Sequence, residues 1–233
     1  MKTPATILLL FLLTLTAPGS DIGEIHRIGN GLIGWYLLPG HFTASKAFDA
    51  SQKANHSSGC GGTVSHTGTR DVLNMNGTSA QYITIPNQTY LVFSNKAFSI
   101  CHTLNCTTNN NRTFFSKETT TTTGGWTYWM NTGAQMVSED NQGNYAFDGT
   151  QFAMGVTATS CFEYEPNTAQ RWIDGPYAGT AALGVRLFYG SEPLRIGATN
   201  GKYYFQGWMA NFMIFDHLLS ATERNYILRE GLQ

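Results

Sequence analysis

Residues 208 to 215 read Trp-Met-Ala-Asn-Phe-Met-Ile-Phe, eight residues without a charge, a glycine or a proline. At two-residue spacing Trp208, Ala210, Phe212 and Ile214 fall on one face and Met209, Asn211, Met213 and Phe215 on the other, which is the period of a β-strand. An apolar patch (Leu194, Ile196) and a Gly/Asn turn lead into it, and Asp216-His217 ends it. A short helix follows. Ser220 and Glu223 form an S-x-x-E capping box, in which the hydroxyl accepts from the N3 amide and the carboxylate reaches back to the cap. Gly231 stands where that helix stops, just after Arg229 and Glu230. No extended helical period precedes residue 220, so the rest of the chain is to be built from strands.

The N-terminus is read as a secretory signal. Lys2 supplies the positive start, Ile7 to Leu15 the apolar run and Ala17-Pro18-Gly19 a small-residue cleavage site, so residues 1–20 are expected to be removed. That run is far shorter than the ~20 residues a spanning helix needs, so no membrane insertion is expected. About 210 residues would remain, enough for one sandwich that buries roughly 70% of its unfolded surface. Net charge is −1 and only 12% of residues are charged, with no basic cluster, so neither nucleic acid nor an anionic membrane is an expected partner.

Four cysteines remain: Cys60, Cys101, Cys106 and Cys161. An even number in an oxidising compartment predicts two disulfides, with three connectivities open. Zinc has no C-x2-C or H-x3-H pair to support it.

From Pro193 on, PLRIGA followed by YYFQGWMANFMIFDHLLSATE resembles the closing segment of laminin-G-like (concanavalin A-like lectin/glucanase) jelly-roll domains, with an IG strand, an F-x-G turn, a long strand and a helix start. The acidic pair the family often places after the F-x-G turn is Ala210-Asn211 here. The resemblance implies an all-β fold, a two-sheet antiparallel jelly-roll sandwich with a short C-terminal helix, as one domain over residues 21–233. Gly31 to Leu38 resembles the family's opening strand and Phe48 to Ser51 the turn after it. Residues 55 to 70, rich in Gly, Ser and Thr, are expected to be a long loop. Val72 to Thr78 and Gln81 to Pro86 resemble paired strands. Ala97 to Leu104 resembles a further strand, with Phe98, Ile100 and His102 on one face and Cys101 on the other. Phe114 to Lys117 and Trp126 to Met130 read as a hairpin around Thr119 to Thr123. Phe152 to Ala158 and Ala169 to Gly175 resemble the next two strands, with Asp174-Gly175 as a type I′ turn signal.

This fold hosts several functions. Sugar binding needs flat aromatic faces and amide or carboxylate groups for hydroxyls; Trp126, Trp129, Tyr203 and Tyr204 are the ligand-binding candidates, with Tyr128 beside them. Glycoside hydrolysis needs two carboxylates ~5–9.5 Å apart. Glu163 and Glu165 share a strand face at about 7 Å spacing, but the glucanase E-x-D-x-E run is absent. No G-x-S-x-G elbow is present, and His102 and His217 read as structural. No catalytic residue is therefore assigned. Calcium, held in many relatives, would draw on Asp148, Asp174 and Asn200, without a ligand ladder to fix it; no other cofactor is expected. Five sequons occur, at Asn55, Asn76, Asn87, Asn105 and Asn111, all before residue 114. The expected function is a secreted, non-catalytic glycoprotein binding extracellular glycan or protein in a lectin-like or adhesion role. A structural part in an extracellular or mineralised matrix is the alternative, and a glycoside hydrolase a third.

Overall fold

The computed structural model describes residues 31–37, 40–67, 70–93, 96–108, 110–118, 125–131, 135–140, 145–151, 153–166, 168–173, 177–182, 192–199 and 202–230. The signal segment, the threonine run and the Asp174-Gly175 turn lie outside them. Residues 31–233 form a compact unit, and no described helix is long and apolar enough to cross a membrane.

The strands run β1 Leu32–Tyr36, β2 Gly59–Cys60, β3 Thr63–Thr67, β4 Arg70–Asn76, β5 Ile83–Ile85, β6 Phe98–Cys106, β7 Arg112–Ser116, β8 Trp126–Met130, β9 Gln135–Asp140, β10 Tyr145–Gln151, β11 Thr157–Glu165, β12 Thr168–Ile173, β13 Tyr177–Ala182, β14 Leu194–Ile196 and β15 Gln206–Phe215; helix α1 is Ala221–Glu230. Two antiparallel sheets result. One has the order β13-β12-β11-β6-β15-β4-β3, and the other β10-β9-β8-β7-β14-β5-β2. Strand β15 holds the first together: β6 lies along one side, while β4 and then β1 share its other side end to end. The jelly-roll expectation is met.

Alternation fills the core. Phe98, Ile100 and Leu104 of β6, Phe162 and Tyr164 of β11, Trp126 and Tyr128 of β8 and Ile83 and Ile85 of β5 point between the sheets. The Phe98 ring lies 4.1 Å from that of Phe93 and 5.3 Å from that of Trp126, and offset rings in such contacts add attraction to the area they bury. On β15 the expected alternation breaks. Met209 faces the core, the register shifts between Ala210 and Met213, and Phe212 and Ile214 then face it. Asn211 sits at the break with φ +49, a left-handed conformation that asparagine tolerates better than most residues. An extra residue at such a bulge changes which side chains face in.

Other expectations are corrected. The stretch 55 to 70 is not all loop, because its polar Thr63–Thr67 forms an edge strand on β4. Strands β4 and β5 are not paired with each other but belong to opposite sheets. The strand expected at 152 to 158 begins at Thr157 and runs to Glu165, because Gly155 turns with φ +71 just before it. The capping box forms as read: Glu223 N–H donates to Ser220 Oγ at 3.3 Å and Ser220 N–H to Glu223 Oε2 at 2.8 Å.

Candidate functional site: an aromatic surface around Arg112

On β8 the period of two separates three of the candidate aromatics. Trp126 is 2% exposed and Tyr128 1%, both in the core, so Trp126 is removed from the binding candidates. Trp129 faces outward. The chain after β14 returns over that outer face: Ser116 Oγ donates to the Ala198 carbonyl at 2.8 Å and Thr113 N–H to the Tyr203 carbonyl at 2.9 Å. These bonds lay the Tyr203 ring on Trp129, with centroids 5.8 Å apart and planes 9° from parallel. Tyr203 keeps 41% of its surface exposed and holds φ +55. The Lys202 ammonium lies 5.6 Å from the same ring's centroid, a cation–π distance.

Arg112 joins the neighbouring segment to this surface. Its Nη1 donates to the Tyr204 carbonyl at 2.7 Å and its Nη2 to Gln206 Oε1 at 2.9 Å. The Tyr204 ring packs against Tyr82 at 6.3 Å and 29°. Gly77 is needed here: it has φ +81, and a Cβ on it would stand 3.0 Å from Arg112 Nη1. The segments around residues 77–82, 111–113, 129 and 202–206 therefore converge. The result is two ring pairs, Trp129 with Tyr203 and Tyr82 with Tyr204, with Arg112, Lys202 and Gln206 beside them. Of the aromatics named from the sequence, Trp129, Tyr203 and Tyr204 come together here, and Arg112, Tyr82, Lys202 and Gln206 join them. The Arg112 contacts bridge more than ninety residues of chain, and no local pattern encodes that.

Of the groups weighed for catalysis, Glu163 and His102 lie inside the fold. Glu163, 2% exposed, accepts from Arg224 Nε at 2.7 Å and Nη2 at 3.1 Å, so the Glu163/Glu165 pair is not available to flank a sugar bond. His102 is fully enclosed with Phe114, Phe115 and Phe212 each 5.8 Å away; burial holds its pKa down at about 3. His217 lies in a surface turn beside Asp216 and Glu223. Lys117, buried, donates to Asn87 Oδ1 at 2.6 Å and the Glu192 carbonyl at 2.7 Å, and burial lowers its pKa to about 8.

Cys101 and Cys161 are bonded across the β6–β11 pair. Cys60 and Cys106 are free thiols, which corrects the two-bridge expectation: Cys60 lies on edge strand β2, with Sγ 3.5 Å from the Thr43 carbonyl, and Cys106 ends β6 in the other sheet, with Sγ 3.1 Å from the Thr108 carbonyl. Among the sequons, Asn55 is buried with Nδ2 donating to the Pro86 carbonyl, Asn105 Nδ2 donates to the Gly155 carbonyl, Asn76 is exposed, and Asn87 and Asn111 are half-buried. No group of three or more His, Cys, Asp or Glu among the described residues is placed to hold a metal; Asp174, Asn200 and the Asp148 side chain lie outside those residues.

A family model for the concanavalin A-like lectin/glucanases superfamily matches residues 76–223. No curated protein matches the chain significantly. Among solved structures, the binding domain of Paraclostridial Mosquitocidal Protein 1 is similar with a TM-score of 0.69 at 10% identity, over 86% of this chain and 52% of that one. Trypanosoma rangeli sialidase in complex with 2,3-difluoro-KDN gives 0.66 at 15% identity, over 87% of this chain and 33% of that one. The Botulinum neurotoxin serotype G binding domain gives 0.65 at 16%, over 84% and 50%. The chain thus spans between a third and about half of each of these three solved chains, and at these identities the likeness is one of fold.

Proposed function

This chain belongs to the concanavalin A-like lectin/glucanase superfamily, and from that premise we propose that it is a secreted, non-catalytic glycoprotein whose jelly roll binds an extracellular glycan or protein. The observation that carries the reading is the Tyr203 ring, 41% exposed and backed in near-parallel stacking by Trp129. An exposed ring fixed from behind loses little conformational freedom when a ligand settles on it, and a pyranose ring offers the flat C–H face that such a surface takes. The Cys101–Cys161 disulfide fits an oxidising compartment, and the apolar run Ile7 to Leu15 supplies a route to it. Similar folds serve as toxin binding domains, which supports a binding role. The test is retention on immobilised sugars, competed by free monosaccharide. Specific retention that Tyr203→Ala abolishes supports the reading; retention on no sugar or protein surface, or retention indifferent to Tyr203→Ala, removes it.

A further inference from the structure

We propose that Asn76 and Asn111 carry N-linked glycans that cover the Tyr82–Tyr204 pair, and that Asn55 stays bare. The inference rests on the export proposed above, because the donor, a lipid-diphosphate-linked oligosaccharide, belongs to the secretory lumen. Transfer breaks the bond between the first sugar's anomeric carbon and a diphosphate oxygen, forms a bond from that carbon to Nδ2, and releases the Nδ2 proton with the lipid diphosphate. The acceptor nitrogen must therefore reach solvent, and the folded chain must leave room for the sugar.

Asn76 meets both needs. It ends β4 with its side chain exposed, and its Oδ1 accepts from Thr78 N–H at 3.1 Å. Asn111 is half-buried, so part of it reaches solvent; it holds φ +45, which asparagine tolerates on backbone grounds alone, and Thr113, buried in β7, completes its sequon. Asn55 fails. It is 7% exposed, its Nδ2 donates to the Pro86 carbonyl at 3.0 Å, its N–H donates to Asp49 Oδ2 at 2.9 Å, and its carbonyl accepts from Tyr36 Oη at 2.7 Å. A sugar there would open the turn that these bonds close.

The two accepting positions share a neighbour. Asn76 stands opposite Gln206 in the β4–β15 register, Gln206 Oε1 accepts from Arg112, and Arg112 follows Asn111 in the chain. The same guanidinium holds the Tyr204 carbonyl, and Tyr204 packs on Tyr82. Both positions thus connect to that ring pair through Gln206 and Arg112, and glycans attached there start beside it.

The experiment expresses the full chain in a glycosylating secretory host and maps glycopeptides by mass spectrometry. Gly155→Asn serves as an internal control. It makes Asn-Val-Thr at a turn where a Cβ meets nothing within 4 Å and φ is +71, a conformation asparagine accepts. Expected are sugars at the control, at Asn76 and at Asn111, with Asn55 unmodified in the folded secreted protein. A modified control with bare Asn76 and Asn111, or a glycan on Asn55, overturns the assignment alone. A bare control together with bare native sites overturns the export reading and this inference with it. Trimming each glycan to one sugar should then raise hydroxyl-radical labelling of Tyr82 and Tyr204 at least twofold; unchanged labelling would show that the sugars do not cover the pair.

Discussion

Arg224 of α1 grips Glu163 of β11 with two parallel hydrogen bonds, 2.7 Å from Nε and 3.1 Å from Nη2, while Nη2 also donates to the Leu219 carbonyl at 2.9 Å. The pair is buried and pins the C-terminal helix to the outer face of the larger sheet. A fork meeting a carboxylate in this way fixes geometry as well as charge. Glu163→Gln leaves the guanidinium buried without its counter-charge and should destabilise the fold by about 3 kcal/mol. A urea midpoint checks this, and a variant as stable as the parent would mean the helix is held by something else.

Trp126 and Trp129 are three residues apart and should behave oppositely. Trp126 packs against Phe93, Phe98 and Phe115, so Trp126→Ala should cost about 3–5 kcal/mol by opening a cavity. Trp129→Ala removes the backing of Tyr203 and should weaken ligand retention with a smaller loss of stability. Thermal unfolding of both variants beside a binding assay separates the two roles.

His102 predicts a pH dependence. Its pKa is lowered by burial from the ordinary 6.5 to about 3. Between these values the unfolded chain binds a proton that the folded chain refuses. Stability is therefore full above pH 6.5 and falls as pH drops toward 3, by several kcal/mol in all. His102→Leu removes that titration, so the difference between wild type and variant should shift in the variant's favour from about pH 6.5 to pH 4. Glu223, whose pKa is lowered chiefly by its bonds to Ser220 against the opposing effect of burial, also loses stability on acidification, but equally in both proteins. Parallel pH profiles would mean that His102 does not titrate between the folded and unfolded states.

The thiols give a count. Burial pushes Cys60 up to about 12 and raises Cys106 as well, so both stay protonated near neutrality and neither is a nucleophile there. The folded protein should react slowly with a thiol reagent, and the denatured, unreduced chain should show two thiols. A count of zero would restore the two-bridge pattern.

How much of this was legible in the sequence depended on the range of the interaction. The capping box at Ser220 and Glu223 and the core face of Phe98, Ile100 and His102 are set by spacing within a few residues, and both match the structure. Trp126, by contrast, expected among the binding residues, lies in the core, because spacing alone does not say which face of β8 is covered. The polar residues of Thr63–Thr67 carry a loop signature; the segment is an edge strand because β4 lends it a hydrogen-bonding edge. The use of Glu163 was hidden for a similar reason. Its partner lies sixty-one residues away on a helix, and a local reading saw only two glutamates on one strand face. Arg112 was hidden still more completely, since a residue noticed as the middle of a sequon supports a carbonyl and an amide ninety residues on.

Asn211 is where local reading and tertiary structure part most clearly. Perfect alternation would have set Trp208, Ala210, Phe212 and Ile214 on one face, yet Met209 shares the core with Phe212 and Ile214. The break lies where the neighbour of β15 changes from β4, which ends its pairing at Met209, to β1, which begins at Phe212. Asn211 turns there with φ +49, and its N–H donates to the carbonyl of Leu37, itself at φ +59. A β-branched residue at this position must adopt the left-handed conformation at roughly 1–2 kcal/mol, whereas glycine adopts it freely. Asn211→Val should therefore lower the urea midpoint more than Asn211→Gly does. Were the valine variant the more stable of the two, the bulge would not be held by backbone conformation, and β15 would have a second register in which the alternation runs unbroken.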